Sequence, residues 1–232
     1  MVFYRCDDAI ATITIDDGKV NALSLVALAE LNTALDLAER DGAVVVLAGR
    51  DGVFSAGFDL PVLRGGGPDA LAMLRAGFEL AARLLAFPRP VVIACTGHAV
   101  AMGVFLLLCG DYRVGATGPD KITANEVAIG LTMPRAAVEI CRQRLTPAHF
   151  NRAVVLAEAF APADAVAAGF LDRTVPASSL PEVARSVAAQ AATLDPRAHA
   201  ATKRRARAQA LGAVRSAIDA GTAEYSARAT AS

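Results

Sequence analysis

Apolar and polar residues alternate from residue 9 to 15, which puts Ala11, Ile13 and Ile15 on one side of an extended chain. With residues 2–5 across the Asp7-Asp8 pair, this predicts a hairpin, ended by Asp16-Asp17-Gly18. The period then changes. Leu28, Leu31 and Leu35 recur at helical spacing, so a helix is expected over Leu25–Arg40. Residues 43–48 (AVVVLA) are an unbroken apolar run, the mark of a strand covered on both faces. The glycine-rich loop GRDGVFSAGFDL follows it. Asp69 fits the cap of a helix that carries Leu71, Leu74, Phe78, Ala81 and Leu85 on one face. Ahead of it, RGGGP at residues 64–68 predicts a mobile loop. FPRP ends the helix before a second buried strand, Val91–Cys95.

Residues 91–110 carry no full charge and are long enough to cross a bilayer. Gly97-His98 and Gly103 interrupt the run, so it reads as a strand, a turn and a buried helix rather than a membrane span. Beyond it, DYRVGA and KIT predict short strands, and NEVAIG a loop or turn. Pro134 and Pro147 fit helix starts, Thr146 a cap, and residues 164–168 a short helix closed by Gly169. From Ser179 onward the pattern is helical, restarting at Asp195-Pro196. Strands and helices therefore mix in the first two thirds, and helices alone fill the last third.

Composition removes several function classes. Lys plus Arg and Asp plus Glu are each 23, so the formal charge is zero, which argues against a nucleic-acid binder. An apolar fraction of 54% excludes a disordered acidic chain. The 232 residues suit one large domain or two small ones. Only 20% of residues are charged, which points to apolar surface buried between subunits. Cys6, Cys95, Cys109 and Cys141 lie far apart with no CxxC or Cys/His spacing. They read as buried thiols of a reducing compartment, with neither a disulfide framework nor a metal site. The opening MVFYRCDDAI does not read as a secretory signal, so a cytoplasmic location is expected.

Nucleotide and hydrolase signatures fail on spacing. Neither GxGxxG after a strand nor GxxxxGK[ST] occurs, and in GVFSAG the glycine stands three residues before Ser55 where a nucleophile elbow needs two. His98, His149 and His199 sit in contexts that do not build a Ser-His pair. A stronger signal is a pair of glycine-containing turns, each after a buried strand: AVVVLAGRDGVFSAGFDL and PVVIACTGHAVAMGVFLLLCGDYRV. Such turns leave backbone N–H groups unpaired, and two of them converging on one oxygen would make an oxyanion hole. Any buried α/β chain has turns of this kind, so the physics alone leaves the chemistry open.

Five segments in order resemble the enoyl-CoA hydratase/isomerase (crotonase) family over essentially the whole chain. They are Asn21-Ala22-Leu23, Phe54-Ser55-Ala56-Gly57-Phe58-Asp59-Leu60, Gly97 through Asp111-Tyr112-Arg113, Asn125-Glu126-Val127-Ala128-Ile129-Gly130-Leu131, and Ala167-Ala168-Gly169-Phe170-Leu171-Asp172. The resemblance implies an α/β fold, the crotonase (ClpP-like) ββα superhelix, with a spiral core over residues 1–178. A C-terminal helical trimerisation region over residues 179–232 follows from the same likeness. It implies a homotrimer or a dimer of trimers, an acyl-CoA substrate, and no metal or redox cofactor beyond the coenzyme A of the substrate itself. The oxyanion donors it implies are the backbone N–H groups of Phe58 and Met102; Met102 departs from the family's usual glycine. Ala56, Gly57 and Asp59 would lie beside the coenzyme A moiety, although a turn-bracing role also fits Asp59. Phe105 and Leu131 would line the acyl pocket. Lys203 and Arg207, four apart on one helix face, would meet its phosphates, where the plain alternative is a solvated basic face.

The acids carry the finer expectation. Hydratases of this family hold two glutamates across the substrate double bond, and the matching positions here are Phe105 and Glu126. In an arbitrary loop Glu126 would be a solvated carboxylate; within this motif it is the base. One carboxylate suffices to take a proton from one carbon of an enoyl thioester and return it to another. Isomerisation of a Δ3 to a Δ2 double bond is therefore expected first, hydration second, and an acyl-CoA-binding pseudoenzyme third.

Overall fold

Successive coils of the chain send one strand into a large sheet and the next into a small one. The computed structural model describes residues 1–230, with side chains through residue 225. Strands β1 (Val2–Asp7) and β2 (Ile10–Ile15) form the expected antiparallel hairpin, Val2 opposite Ile15. From β2 the sheet continues in parallel through β4 (Val44–Ala48), β7 (Val91–Cys95), β9 (Tyr112–Ala116) and β11 (Arg173–Val175), six strands in all. The intervening β5 (Gly52–Ser55), β8 (Gly97–Val100) and β10 (Ile122–Thr123) make a parallel three-stranded sheet with β8 in the middle. Two-residue strands β3 (Ala22–Leu23) and β6 (Gly57–Phe58) pair separately.

Nine α-helices are described. They are α1 (Leu25–Arg40), α2 (Leu60–Gly65), α3 (Gly67–Ala86), α4 (Met102–Leu108), α5 (Arg135–Arg142), α6 (Pro147–Val154), α7 (Pro162–Ala168), α8 (Leu180–Ala192) and α9 (Pro196–Thr230). Helix α1 has the predicted bounds because Ser24 caps it, its Oγ accepting from Ala27 N–H at 3.2 Å. Gly169, in the left-handed region at φ 96°, closes α7 as expected.

The unbroken apolar runs sort by strand period. Val45, Leu47, Val91 and Ile93 face the main core with α1, α3 and α4, whereas Val44, Val46, Val92 and Ala94 face Leu180, Ala184 and Ala188 of α8. Helix α9 lies on α3 and α5 and drives Val214 and Ile218 into the main core. The region expected to serve assembly thus also packs against its own chain; its last two residues lie outside the described ones.

Four expectations are corrected. RGGGP is not a loop: Gly65 ends α2, Gly67 begins α3, and Gly66 and Gly67 turn the chain between the helices at φ 66° and 71°. Gly66 therefore occupies the cap position, and Asp69 stands in the first turn of α3. The glycine-rich loop after β4 contains β5 and β6, and the turn after β7 contains β8. Strand β11 interrupts the helical last third, held by ladder bonds to β9 rather than by any pattern of its own.

Lys203 and Arg207 are also misread as a phosphate-binding face. Lys203 is 6% exposed, its Nζ 2.6 Å from Asp111 Oδ2. Arg207 Nη2 lies 2.9 Å from Asp111 Oδ1, and its guanidinium donates to the carbonyls of Leu85, Cys109 and Gly110. The face is basic because it meets the C-terminal end of α4 and one inward carboxylate, not because it meets solvent. Asp111→Ala would leave Lys203 buried without a counter-ion, which costs about 3–5 kcal/mol. Urea unfolding should show that loss; a change below about 1 kcal/mol, the size of an exposed pair, would contradict the buried role.

Candidate active site

The site is built at the ends of three short strands. The first is β6. Asn21, fully buried at φ 55°, donates through Nδ2 to the carbonyls of Ile15 (2.8 Å), Val53 (3.2 Å) and Phe54 (3.1 Å). Ser55 Oγ donates to Asn21 O at 2.7 Å and accepts from Gly57 N–H at 3.1 Å. Asp59 N–H donates to Leu23 O, so Gly57 and Asp59 turn toward β3 and the N–H of Phe58 between them points the other way.

On that other side begins α4, after β8. Gly57 makes the approach possible: a Cβ there would lie 2.9 Å from Ala101 Cβ and 3.0 Å from Met102 N. A Cβ on Gly103 would lie 2.4 Å from Ser55 O. Ala101 takes φ 51° and ψ −123°, a strained conformation for a residue with a side chain, and its N–H donates to Thr123 O at 3.0 Å. Met102 is the first residue of α4, so its N–H has no intrahelical acceptor. The backbone N–H groups of Phe58 and Met102 thus flank the contact between β6 and α4.

The third strand end, β10, leads to Glu126. Thr123 lies opposite Val100 in the small sheet, so three residues of chain carry Glu126 from the register of Val100. The turn that follows is tied by Leu131 N–H donating to Glu126 O at 2.9 Å, and Gly130 leaves it at φ 79°. Glu126 is 6% exposed, the only buried carboxylate among the described residues, and its Oε2 has no hydrogen-bond partner. Burial pushes its carboxyl up to about 7. Neighbouring Asn125 Oδ1 is buried and unpartnered as well.

The surroundings are apolar. Phe105, 1% exposed, packs with Phe78 at 6.1 Å between ring centroids, and Phe78 meets Phe58 edge-on at 6.0 Å. Phe105 therefore offers no second acid. Leu131 is 41% exposed, at the surface beyond the Glu126 turn. Ala56 N–H donates to Val20 O, Gly57 is buried against α4, and the Asp59 carboxylate caps α2 by accepting from Val62 N–H at 3.4 Å. The cap answers for Asp59 without coenzyme A. Asn21 and Ala101 were missed as positioning residues; an asparagine ahead of a strand in VNAL was the available signal for a left-handed residue. An open cleft of about 510 Å³ lies elsewhere, lined by Glu39, Arg83, Arg215 and Asp219 among others, and none of Phe58, Met102 or Glu126 borders it.

Two backbone donors and a desolvated carboxylate, carried just beyond neighbouring strands of the small sheet, are the parts needed to hold a developing enolate oxygen and to move a proton. The comparisons agree with that class of chemistry. A family profile described as enoyl-CoA hydratase/isomerase matches residues 5–226, and the chain belongs to that family. Its fold is that of the family's solved members, the crotonase ββα superhelix. It is similar to an enoyl-CoA hydratase from Mycobacterium marinum, with 50% identity and a TM-score of 0.93 over 97% of this chain and 99% of that one. It is equally similar to a Mycobacterium tuberculosis structure described as an enoyl-CoA isomerase: 50% identity, TM-score 0.93, 96% and 98% covered. The mouse mitochondrial enoyl-CoA delta isomerase 1 is 33% identical over 77% of this chain. The chain spans 63% of that relative's length.

The raised carboxyl of Glu126 has a thermodynamic signature. Its folded value of about 7 exceeds the ordinary 4.5, so between those pH values the folded state keeps a proton that the unfolded state has lost. Stability falls as pH rises through that window and stays lower above it, by about 3 kcal/mol for a shift of this size. Glu126→Gln should remove the slope and raise stability at pH 8, read by denaturant unfolding across pH 4–8. A carboxylate that braces the fold would instead lose stability on neutralisation.

Proposed function

We propose that the chain is an enoyl-CoA isomerase that moves a Δ3 double bond to Δ2 in an acyl-CoA thioester. The Glu126 carboxylate takes a proton from C2 of the 3-enoyl thioester. Electron density moves onto the thioester oxygen, held by the N–H groups of Phe58 and Met102. The Glu126 carboxyl then returns the proton to C4, and the conjugated 2-enoyl thioester results. Proton and electrons balance without a metal or redox cofactor; coenzyme A enters as part of the substrate.

One observation carries the reading: Glu126 is the only buried carboxylate among the described residues, with Phe105 where a second acid would stand. A carboxyl near 7 suits the task, because it is both a competent base and a competent acid at neutral pH. The similarity to a protein described as a hydratase supports hydration of 2-enoyl-CoA as the second reading. There Glu126 alone would activate the water. A homotrimer or dimer of trimers in the cytoplasm belongs to the same proposal. Val127, Ile129, Leu131, Val155 and Leu156, all exposed on this chain, supply apolar surface for such an assembly.

Purified protein given a 3-enoyl-CoA should generate the absorbance of the conjugated thioester, and given a 2-enoyl-CoA should consume it slowly. Fast conversion of the 2-enoyl substrate to a 3-hydroxyacyl product would make the hydratase reading the correct one. Glu126→Gln should lower turnover by at least ~100-fold, the usual scale of a general base. In the wild type kcat/KM should rise with pH and reach half its plateau near pH 7, where the free carboxyl titrates.

A further inference from the structure

Helix α3 carries a buried glycine, Gly77, in its middle, although glycine is among the poorest helix formers. The space its side chain leaves is occupied. A Cβ on Gly77 would lie 2.4 Å from Phe58 Cε1, 2.5 Å from Phe58 Cζ and 3.5 Å from Met102 Cε. The Phe58 ring is seated in the helix groove and pinned edge-on by Phe78, the next residue of α3. Phe58 and Met102 come from different elements, β6 and α4. Their side chains meet at one point on a third element, and their backbone N–H groups are the two donors described above.

We infer that Gly77 is the positioning residue of the oxyanion hole: its missing Cβ is the seat that registers Phe58 and Met102, and hence both donors, against α3. This rests on the reading of those two N–H groups as the oxyanion donors. The contact is short on the Phe58 side, so any side chain at Gly77 must displace the ring. Displacing the ring levers a two-residue strand whose neighbour, Gly57, already touches Ala101 and Met102 at the limit of approach. The two donors then shift relative to one another, and a shift of well under an ångström matters where hydrogen bonds must meet a developing charge.

The test is a double-mutant cycle. Gly77→Ala places a better helix former in α3 but crowds the Phe58 ring, so the thermal midpoint is expected to fall by several degrees with the chain still folded at assay temperature. Its kcat on a 3-enoyl-CoA should fall at least ~10-fold, a fraction of the loss of a whole donor, with KM changed less than ~3-fold. In a Phe58→Leu background the seat holds no ring, and Gly77→Ala should there lower kcat less than ~3-fold relative to Phe58→Leu alone. Equal losses in both backgrounds, or wild-type kcat in Gly77→Ala, overturn the inference. A second readout separates it from the proposed reaction. Acetoacetyl-CoA enolises in a site that holds a thioester oxyanion, and its enolate absorbs in the near ultraviolet. Wild-type protein should raise that absorbance and Gly77→Ala should raise it less, even if neither turns over an enoyl-CoA. Equal enolate bands in both proteins overturn the inference whatever the turnover.

Discussion

The end of β5, strand β6 and the first turn of α4 approach one another closely in the candidate site, and the local architecture serves that contact. A Cβ at Gly57 would collide with Ala101 from one side, and a Cβ at Gly103 with Ser55 from the other. Packing this tight admits one arrangement, because the alternatives clash. Asn21 holds the approach from beneath, reaching the carbonyls of Val53 and Phe54 ahead of β6. Thr123 holds it from the side through Ala101 N–H. Ala101 accepts a strained conformation to deliver Met102 to its place, at a cost of about 1–3 kcal/mol. Strain of that size persists only where the neighbours over-determine the backbone, and here they do.

Charge is treated in opposite ways at the two ends of α4. Beyond its C-terminus Asp111 is satisfied by Lys203, Arg207 and the N–H of Val91, and the cations also take up carbonyls of Cys109 and Gly110. Nearby, Arg113 makes paired bonds to Asp172 and a further one to Gly169 O. The two buried cations, Lys203 and Arg113, are each matched by a carboxylate, so together these pairs fasten α9 and α7 to the spiral core. On the site side, Glu126 is left with an oxygen that no group addresses. An unpaired buried carboxylate opposes folding. The paired end supplies rigidity, and the unpaired end holds a carboxyl that the fold itself does not use.

What was legible in the sequence follows the length scale of the forces. The runs AVVVLA and VVIAC declared strands covered on both faces, and the structure distributes their side chains between the main core and α8. The leucines of α1 were enough to read that helix, because periodicity is local, and Ser24 caps it where the reading began. Strands of two to four residues, β5, β6 and β8, have too few positions to display a period, and they read as loop and turn. They exist because parallel neighbours pair with them. The resemblance, not any local pattern, is what singled out Glu126, Phe58 and Met102. No local rule showed that Glu126 would be buried, since burial comes from elements distant in the chain. Lys203 and Arg207 fail for the same reason. Their spacing says they share a face, but the partner that turns the face inward, Asp111, is 92 residues away from Lys203.

The burial of Glu126 bears on which reaction a single carboxylate could perform. Adding water to a double bond requires a place to hold that water, and a second proton-carrying group eases its delivery. Phe105, at the position matched to the second acid, carries no proton and packs against Phe78, which in turn meets Phe58. Moving a proton between two carbons needs neither water nor a second acid. It needs a base that keeps the proton it has taken for the short life of the enolate. A desolvated carboxyl near 7 keeps a proton far better than an exposed one near 4.5. The same burial that weakens the fold at neutral pH is, on the isomerase reading, what makes proton return efficient.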